Sequence, residues 1–147
     1  MTTNNFNELF VRDLTKLKEE IGLYKNEADL WKIEKDIKNS GGTLALHLIG
    51  NINHFIGAQL GKTGYVRQRD KEFSDRNIPV AKLNTEIDQA IKVVEKTFAE
   101  LKDSDLQNIY PIEFLGKNRT TAELLLIIIT HLNYHLGQIN YHRRLVG

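Results

Sequence analysis

The chain has 147 residues, of which 41% are hydrophobic and 27% are charged, the balance of a globular domain rather than of a disordered chain. Its 20 Lys and Arg residues against 19 Asp and Glu residues give a formal charge of +1, so no concentrated basic surface for nucleic acid is expected. There is no cysteine, which excludes disulfides, thiolate metal sites and a cysteine nucleophile.

No segment of the sequence predicts a secretion signal or a membrane span. The first ten residues lack both a basic start and an apolar run. The longest apolar block, residues 124–129, is far too short to cross a bilayer. We therefore expect one cytoplasmic domain over residues 1–147, with neither a membrane nor a nucleic-acid partner.

Two helices are predicted in the first part of the chain. In the first helix, apolar residues recur at helical spacing between Phe6 and Tyr24, with charged residues on the other faces. The second helix begins near Ser40, which can cap it, and Gly61 suits its C-terminal cap. Residues 62–79 then form a connection longer than a bundle needs, so this segment either is functional or contains a short helix.

Two further helices are predicted after Pro79. The apolar face of the third covers residues 83–101. The fourth begins at Thr120, whose spacing to Glu123 is that of a capping box. It continues into residues 124–129, which are apolar all round, so we expect this helix to be central and buried on most sides. Four such helices, without period-two alternation anywhere, predict an all-α fold, an antiparallel four-helix bundle.

The placement of the histidines is the most informative feature of the sequence. His131 and His135 are four residues apart, so they lie on one face of the last helix and can chelate one metal ion. His47, on the apolar side of the second helix, would complete a three-histidine site with open coordination positions, as in catalytic rather than closed structural sites. The alternative is a pair of hydrogen-bonded core histidines, although burying two imidazoles without partners would be costly.

The other two histidines are weaker candidates. His54 shares the His47 face but lies about 10 Å further along the helix, so it is an alternative third ligand or a group that supports the ligands. His142 is predicted at the surface or at an interface. The glutamate of His-Glu-x-x-His is missing, which excludes a zincin site, and no Glu-x-x-His occurs, which argues against a di-iron bundle.

The passages that carry these histidines resemble the DinB superfamily. They are LALHLIGNINHF, with His47, and HLNYHLGQI, with His131 and His135, and the likeness covers nearly the whole chain. In that superfamily the His-x-x-x-His pair of the last helix is followed by Gly-Gln-Ile, here residues 137–139, and the third ligand is a histidine early in the second helix. The segment GYVRQRDKEF resembles a less-characterised subgroup.

The resemblance implies a four-helix bundle with a three-histidine metal site, and frequently a homodimer. Some members are thiol S-transferases that use bacillithiol or mycothiol and activate the thiol with the metal; DNA repair is not implied. We therefore expect a divalent ion, zinc or nickel, held by His47, His131 and His135 in an S-transferase or hydrolase that acts on a small-molecule thiol or another small substrate. The alternative is a non-enzymatic helical dimer with a structural metal or with none.

Several nearby residues could support such a site. Asn51, one turn after His47, and Gln138, three residues after His135, could each orient a ligand or a bound water, or simply pack as a core amide. Arg67 or Arg69 could clamp the carboxylate of a thiol cosubstrate, although charged runs are usually solvated faces.

Two residues of the last helix raise questions of packing. Gly137 lies inside the helix, where a glycine costs up to about 1 kcal/mol and is tolerable if another helix approaches closely. Tyr134 lies between the two histidines in sequence and is predicted to pack in the core.

Overall fold

The computed structural model describes all 147 residues, and its regular structure is helical. Five α-helices are present: α1 (Thr3–Gly22), α2 (Gly41–Ile52), α3 (Arg69–Ser74), α4 (Val80–Glu100) and α5 (Thr121–Val146). A π-helix, Asn53–Ala58, extends α2, and short 3-10 turns cover Glu27–Trp31 and Asp103–Gln107. No strand forms, and the only bridges are two isolated pairs. The prediction of an all-α helical bundle is confirmed.

Side-chain caps fix where three of the long helices begin. Thr2 caps α1, and Ser40 caps α2 by accepting a hydrogen bond from the amide of Thr43. At α5, Thr120 and Glu123 form the predicted capping box. Each cap satisfies amides that the first helical turn leaves unpaired, so the polar residue just before each apolar run sets the boundary.

The contacts of α1 show in which directions its two main neighbours, α4 and α5, run. Phe6, near the start of α1, stacks on Phe98, near the end of α4, so these helices are antiparallel. Glu20, near the end of α1, pairs with Arg143, near the end of α5, so these helices are parallel. The α4 and α5 helices therefore run in opposite directions.

The long connection between α2 and α4 explains the remaining arrangement. Gly57 lies beside Val93 and Gly61 lies beside Thr97, so α2 and α4 run in the same direction and α5 runs antiparallel to both. Two parallel helices cannot be joined by a tight turn, so residues 59–79 return along the bundle as a crossover. This segment contains the predicted short helix, α3.

The core is a single cluster of 28 buried apolar residues, to which all four long helices contribute. In α5 most of the predicted apolar block is buried, but Leu126 is 45% exposed, so the helix has one open side. None of the helices combines the length and the apolar composition that crossing a membrane requires.

His142 is buried and not at the surface, so that prediction is wrong. Its Nε2–H donates to the carbonyl of Lys32 at 2.8 Å, which leaves Nδ1 to accept from the hydroxyl of Tyr24 at 2.7 Å. A Cβ on Gly41 would overlap that hydroxyl, so the glycine is needed for this close approach. His142 therefore joins the end of α5 to the segment before α2, a structural role that its position near the chain end did not indicate.

Candidate metal centre

The packing of α2 against α5 brings His47, His131 and His135 together. The Nε2 atom of His131 lies 3.1 Å from the Nε2 atom of His47 and 3.1 Å from that of His135. The potential ligand atoms of the three side chains all lie within 4.8 Å of one another. Two nitrogens bound at about 2.0–2.1 Å to one ion, at about 90–110°, are about 2.9–3.4 Å apart, so the two short spacings fit a shared ion.

The His47 ring is oriented by a carboxylate from α3. Its Nδ1 lies 3.1 Å from Oε1 of Glu72, and both side chains are buried. An ionised carboxylate only accepts hydrogen bonds, so Nδ1 carries the proton and donates it. In a neutral imidazole the other nitrogen then has the lone pair, and Nε2 of His47 presents it to the cluster.

The His135 ring is fixed in the same way by an amide. Its Nδ1 lies 2.6 Å from Oε1 of Gln138, a carbonyl oxygen that only accepts, so Nδ1–H donates and Nε2 carries the lone pair. The Gln138 amide group in turn donates to the Tyr134 hydroxyl at 3.3 Å. Two of the three rings are therefore held in the tautomer that a metal ligand needs.

His131 sits between the other two rings and has no other partner. Its Nδ1 is buried without a hydrogen bond. Burial of the ring, with smaller contributions from the neighbouring His135, His47 and Arg67, lowers the pKa of His131 to about 4. Burial likewise lowers the pKa of His135, although the hydrogen bond that its Nδ1–H donates to Gln138 acts in the opposite direction. Both rings are thus neutral near pH 7, the form that binds a metal ion.

Glu72 links α3 to His47 of α2 and is paired with Arg67; we call this group of three side chains the Glu72 latch. Arg67 donates two hydrogen bonds of 2.9 Å to the Glu72 carboxylate, one from Nε and one from Nη2. Burial alone would raise the pKa of Glu72, but the hydrogen bonds from His47 and Arg67 and the guanidinium charge outweigh it and lower that pKa. Gly50 makes room for the carboxylate, because a Cβ at that position would overlap it.

Sequence reasoning did not identify Glu72 as part of this site. It lies 25 residues from His47, in a connection whose path is set by the crossover. Gly50 was the available signal: a glycine inside a helix, one turn after His47, indicates a close approach by another group. Arg67, considered as a clamp for a substrate carboxylate, here binds the carboxylate of Glu72.

The remaining candidate residues make no hydrogen bond to the cluster. His54 is half-buried and packs edge-on against Phe55. Asn51 is buried and its Oδ1 has no hydrogen-bond partner. Arg69 lies over the Phe73 ring, 5.0 Å from its centroid. Tyr134 is 65% exposed, so the prediction that it packs in the core is wrong.

The donor set determines what the cluster could do chemically. An imidazole binds a metal ion in its uncharged form, so three histidine ligands would add no charge, and the charge of Glu72 is balanced by Arg67. A bound divalent ion would therefore keep its positive charge and act as a Lewis acid. No fourth His, Cys, Asp or Glu belongs to the cluster, so coordination positions would stay open to a substrate.

A comparison with known protein families shows which family the chain belongs to. A family model described as "Protein of unknown function (DUF1572)" matches residues 6–147, which include the whole histidine cluster and the Glu72 latch. No curated protein gives a significant match to the chain. Because the family model covers nearly its full length, the chain belongs to the DUF1572 family.

Proposed function

We propose that this protein is a divalent-metal-dependent enzyme of the DinB superfamily that activates a small-molecule thiol in the cytoplasm, with His47, His131 and His135 as the metal ligands. Zinc and nickel are the proposed ions, because both accept neutral imidazole nitrogen. The DinB assignment is supported by the likeness of residues 44–55 and 131–139 to DinB passages.

The observation that carries the proposal is the convergence of three Nε2 atoms, two of which present lone pairs. Without a cation, a proton on Nε2 of His131 could be donated to His47 or to His135, but not to both. One lone pair would then face another nitrogen unpaired in a partly buried site. A divalent cation would satisfy all three nitrogens at once, so the donor set fits a metal ion better than a proton.

When bound, a divalent ion would lower the pKa of a coordinated thiol or water and so supply the nucleophile. The chain's own residues contribute orientation. Glu72 fixes the tautomer of His47, Gln138 fixes that of His135, and Arg67 keeps Glu72 ionised and in place. The three protein ligands leave room for the thiol, which favours a catalytic over a closed structural site.

Elemental analysis of protein purified without a histidine tag tests the metal site. We expect about one equivalent of metal in the unmodified chain, by the stoichiometry of a single three-histidine site. The same metal content is expected in His54→Ala, a histidine outside the cluster, and a large loss in His135→Ala. Equal metal content in His135→Ala and in the unmodified chain would contradict this assignment.

Turnover tests the enzyme proposal. Incubation with a low-molecular-weight thiol and an alkylating electrophile should consume the thiol faster than the uncatalysed reaction, and EDTA should remove the difference. In this reaction the C–S bond forms as the bond to the leaving group breaks, and the thiol proton passes to solvent. If metal-loaded protein accelerates the reaction of no thiol with any electrophile in a broad set, the S-transferase proposal is ruled out.

The proposal includes a homodimer. Gly137 supports it, since a Cβ there would meet no atom of this chain within 4 Å, so no approach within the single chain explains a glycine in the middle of α5. A second copy packed against α5 at this point would explain it. Gly137→Leu should then weaken the dimer in sedimentation equilibrium, whereas a monomeric unmodified chain would exclude it.

A further inference from the structure

A cleft of about 700 Å³ opens beside His135. One wall is the face of α5 that carries Tyr134, Gln138 and Tyr141, and the other is formed by Ile37 and neighbouring residues of the segment before α2. Because the lining runs from residue 134 to residue 145 of α5, the cleft extends about 16 Å along the helix. It therefore starts beside His135, one of the three proposed metal ligands, and leads away from the cluster.

Five of the eleven residues that line this cleft are aromatic or aliphatic, and the other six are polar or charged. Tyr134 is 65% exposed, Tyr141 is 71% exposed and Leu145 is 46% exposed, so the rest of the single chain leaves these side chains uncovered. Asp36 and Lys38 are the only acidic or strongly basic side chains in the lining, and their charges are opposite. The cleft therefore offers neither a cluster of positive charge for phosphates or carboxylates nor a negative one for cations.

The cleft and the histidine cluster share a residue that serves both. Gln138 lines the cleft, orients His135 with its carbonyl oxygen and donates to the hydroxyl of Tyr134 with its amide group. A molecule in the cleft would thus lie against the side chain that fixes a proposed metal ligand. Further along, Arg144 packs over the ring of Tyr141, 4.4 Å from the centroid, and restrains it.

We propose that this cleft binds the apolar alkyl or aryl part of an uncharged substrate whose sulfur reaches the metal held by the histidines. The proposal rests on the metal site proposed above and adds the chemical class of its ligand. Aromatic side chains offer large, rigid apolar surface to such a group. The two arginines near the cluster do not recruit a charged substrate to the cleft, since Arg67 binds Glu72 and Arg69 packs on Phe73.

A series of thiols tests the proposal on cobalt-loaded full-length protein. Ethanethiol, 1-butanethiol and 3-phenyl-1-propanethiol share the sulfur and differ in apolar length, and the thiolate-to-cobalt absorption band reports their binding. Each methylene that enters the cleft should raise the affinity about 3- to 4-fold, so 1-butanethiol should bind roughly tenfold tighter than ethanethiol.

Variants locate where that gain arises. Tyr141 lies six residues beyond His135, about 9 Å along the helix, which is further than an extended 1-butanethiol reaches, so it should contact 3-phenyl-1-propanethiol and not the two shorter thiols. Tyr141→Ala and Ile37→Ala should therefore remove the affinity that 3-phenyl-1-propanethiol gains over 1-butanethiol. Leu126→Ala, a matched control on the same helix but outside the cleft, should keep the full gain.

The outcomes separate this proposal from the proposed function. Equal affinities across the thiols, or a gain that both cleft variants retain, would overturn the cleft while leaving the metal site. Failure to take up cobalt, or no band with any thiol, would overturn the metal–thiol function instead. The cleft would then be judged by saturation-transfer NMR with 3-phenyl-1-propanol, which needs no metal: signal lost in Tyr141→Ala supports it, and an unchanged signal overturns it.

One further result would assign the cleft face to another use. If Tyr141→Ala converts a dimer to a monomer in sedimentation experiments and leaves the thiol affinities unchanged, the face is an interface between copies. That result would also overturn the small-molecule proposal.

Discussion

Substitution of Glu72 tests the residue that orients a proposed metal ligand without changing any of the ligands themselves. Glu72 does not reach the convergence point of the three imidazoles, but it accepts the Nδ1 proton of His47. We expect Glu72→Gln to weaken metal affinity about 10- to 100-fold, the usual effect of losing such a partner, while the fold is retained. Competition with a chromophoric chelator measures this.

The matched control for this change is Asp70→Asn. Asp70 lies on the same short helix, α3, but is exposed. Asp70→Asn removes the same charge from a side chain that contacts no histidine, so it should leave metal affinity unchanged. Equal affinities in Glu72→Gln and Asp70→Asn would show that Glu72 does not position His47.

Gly50 offers a second test of the same latch. Alanine is the better helix former by up to about 1 kcal/mol, so helix propensity alone would favour Gly50→Ala. Its Cβ would overlap the Glu72 carboxylate, however, and push it away from His47. We expect a loss of metal affinity similar to that of Glu72→Gln, and little further loss in the double variant because the two changes act on one contact. Additive losses would contradict a shared mechanism.

At the scale of the helices, sequence patterns predicted most of what forms. Polar caps and apolar periodicity placed the long helices, because both signals depend on residues within one or two turns. The parallel course of α2 and α4 and the π-helical extension Asn53–Ala58 were not predicted, because they depend on how distant segments pack. The same limit applies to the site. The spacing of His131 and His135 predicted that they lie on one helix face, but Glu72 reaches His47 only because of the path of the crossover.

The contact between α1 and α5 carries a prediction of pH-dependent stability. Glu20 is 3% exposed and accepts hydrogen bonds from Asn140 at 2.9 Å and from Arg143 at 3.0 Å. Burial raises its pKa, but these hydrogen bonds and the charge of Arg143 more than offset that and lower the pKa below 4.5. The charged form is thus favoured by folding, so its stabilisation is present above about pH 4.5 and is lost as the pH falls through the folded-state pKa.

Glu20→Gln should therefore destabilise the chain by about 1–3 kcal/mol at pH 7, the cost of leaving a charged partner poorly satisfied. The gap to the unmodified protein should shrink as the pH is lowered below 4.5 in denaturant titrations. Glu19→Gln, at an exposed neighbour, should change stability by no more than about 0.5 kcal/mol. A pH-independent gap would indicate lost packing rather than lost charge.

For the whole molecule, the proposed site would act as a cross-link as well as a reaction centre. His47 and His131 are 84 residues apart, and the Glu72 latch adds α3 and the crossover to the same point. An ion that binds only the folded chain stabilises it by about 2.7 kcal/mol at a free concentration one hundred times Kd. For a domain of this size that corresponds to a rise in Tm of roughly 5–10 °C.

Calorimetry with and without zinc measures this rise. It should be absent in His135→Ala, because two remaining imidazoles bind a metal ion more weakly than three, and should persist in His54→Ala, which leaves the cluster intact. The rise should also be smaller in Glu72→Gln, since the latch preorganises His47 before the ion arrives. An equal rise in all of these variants would place the zinc elsewhere on the chain.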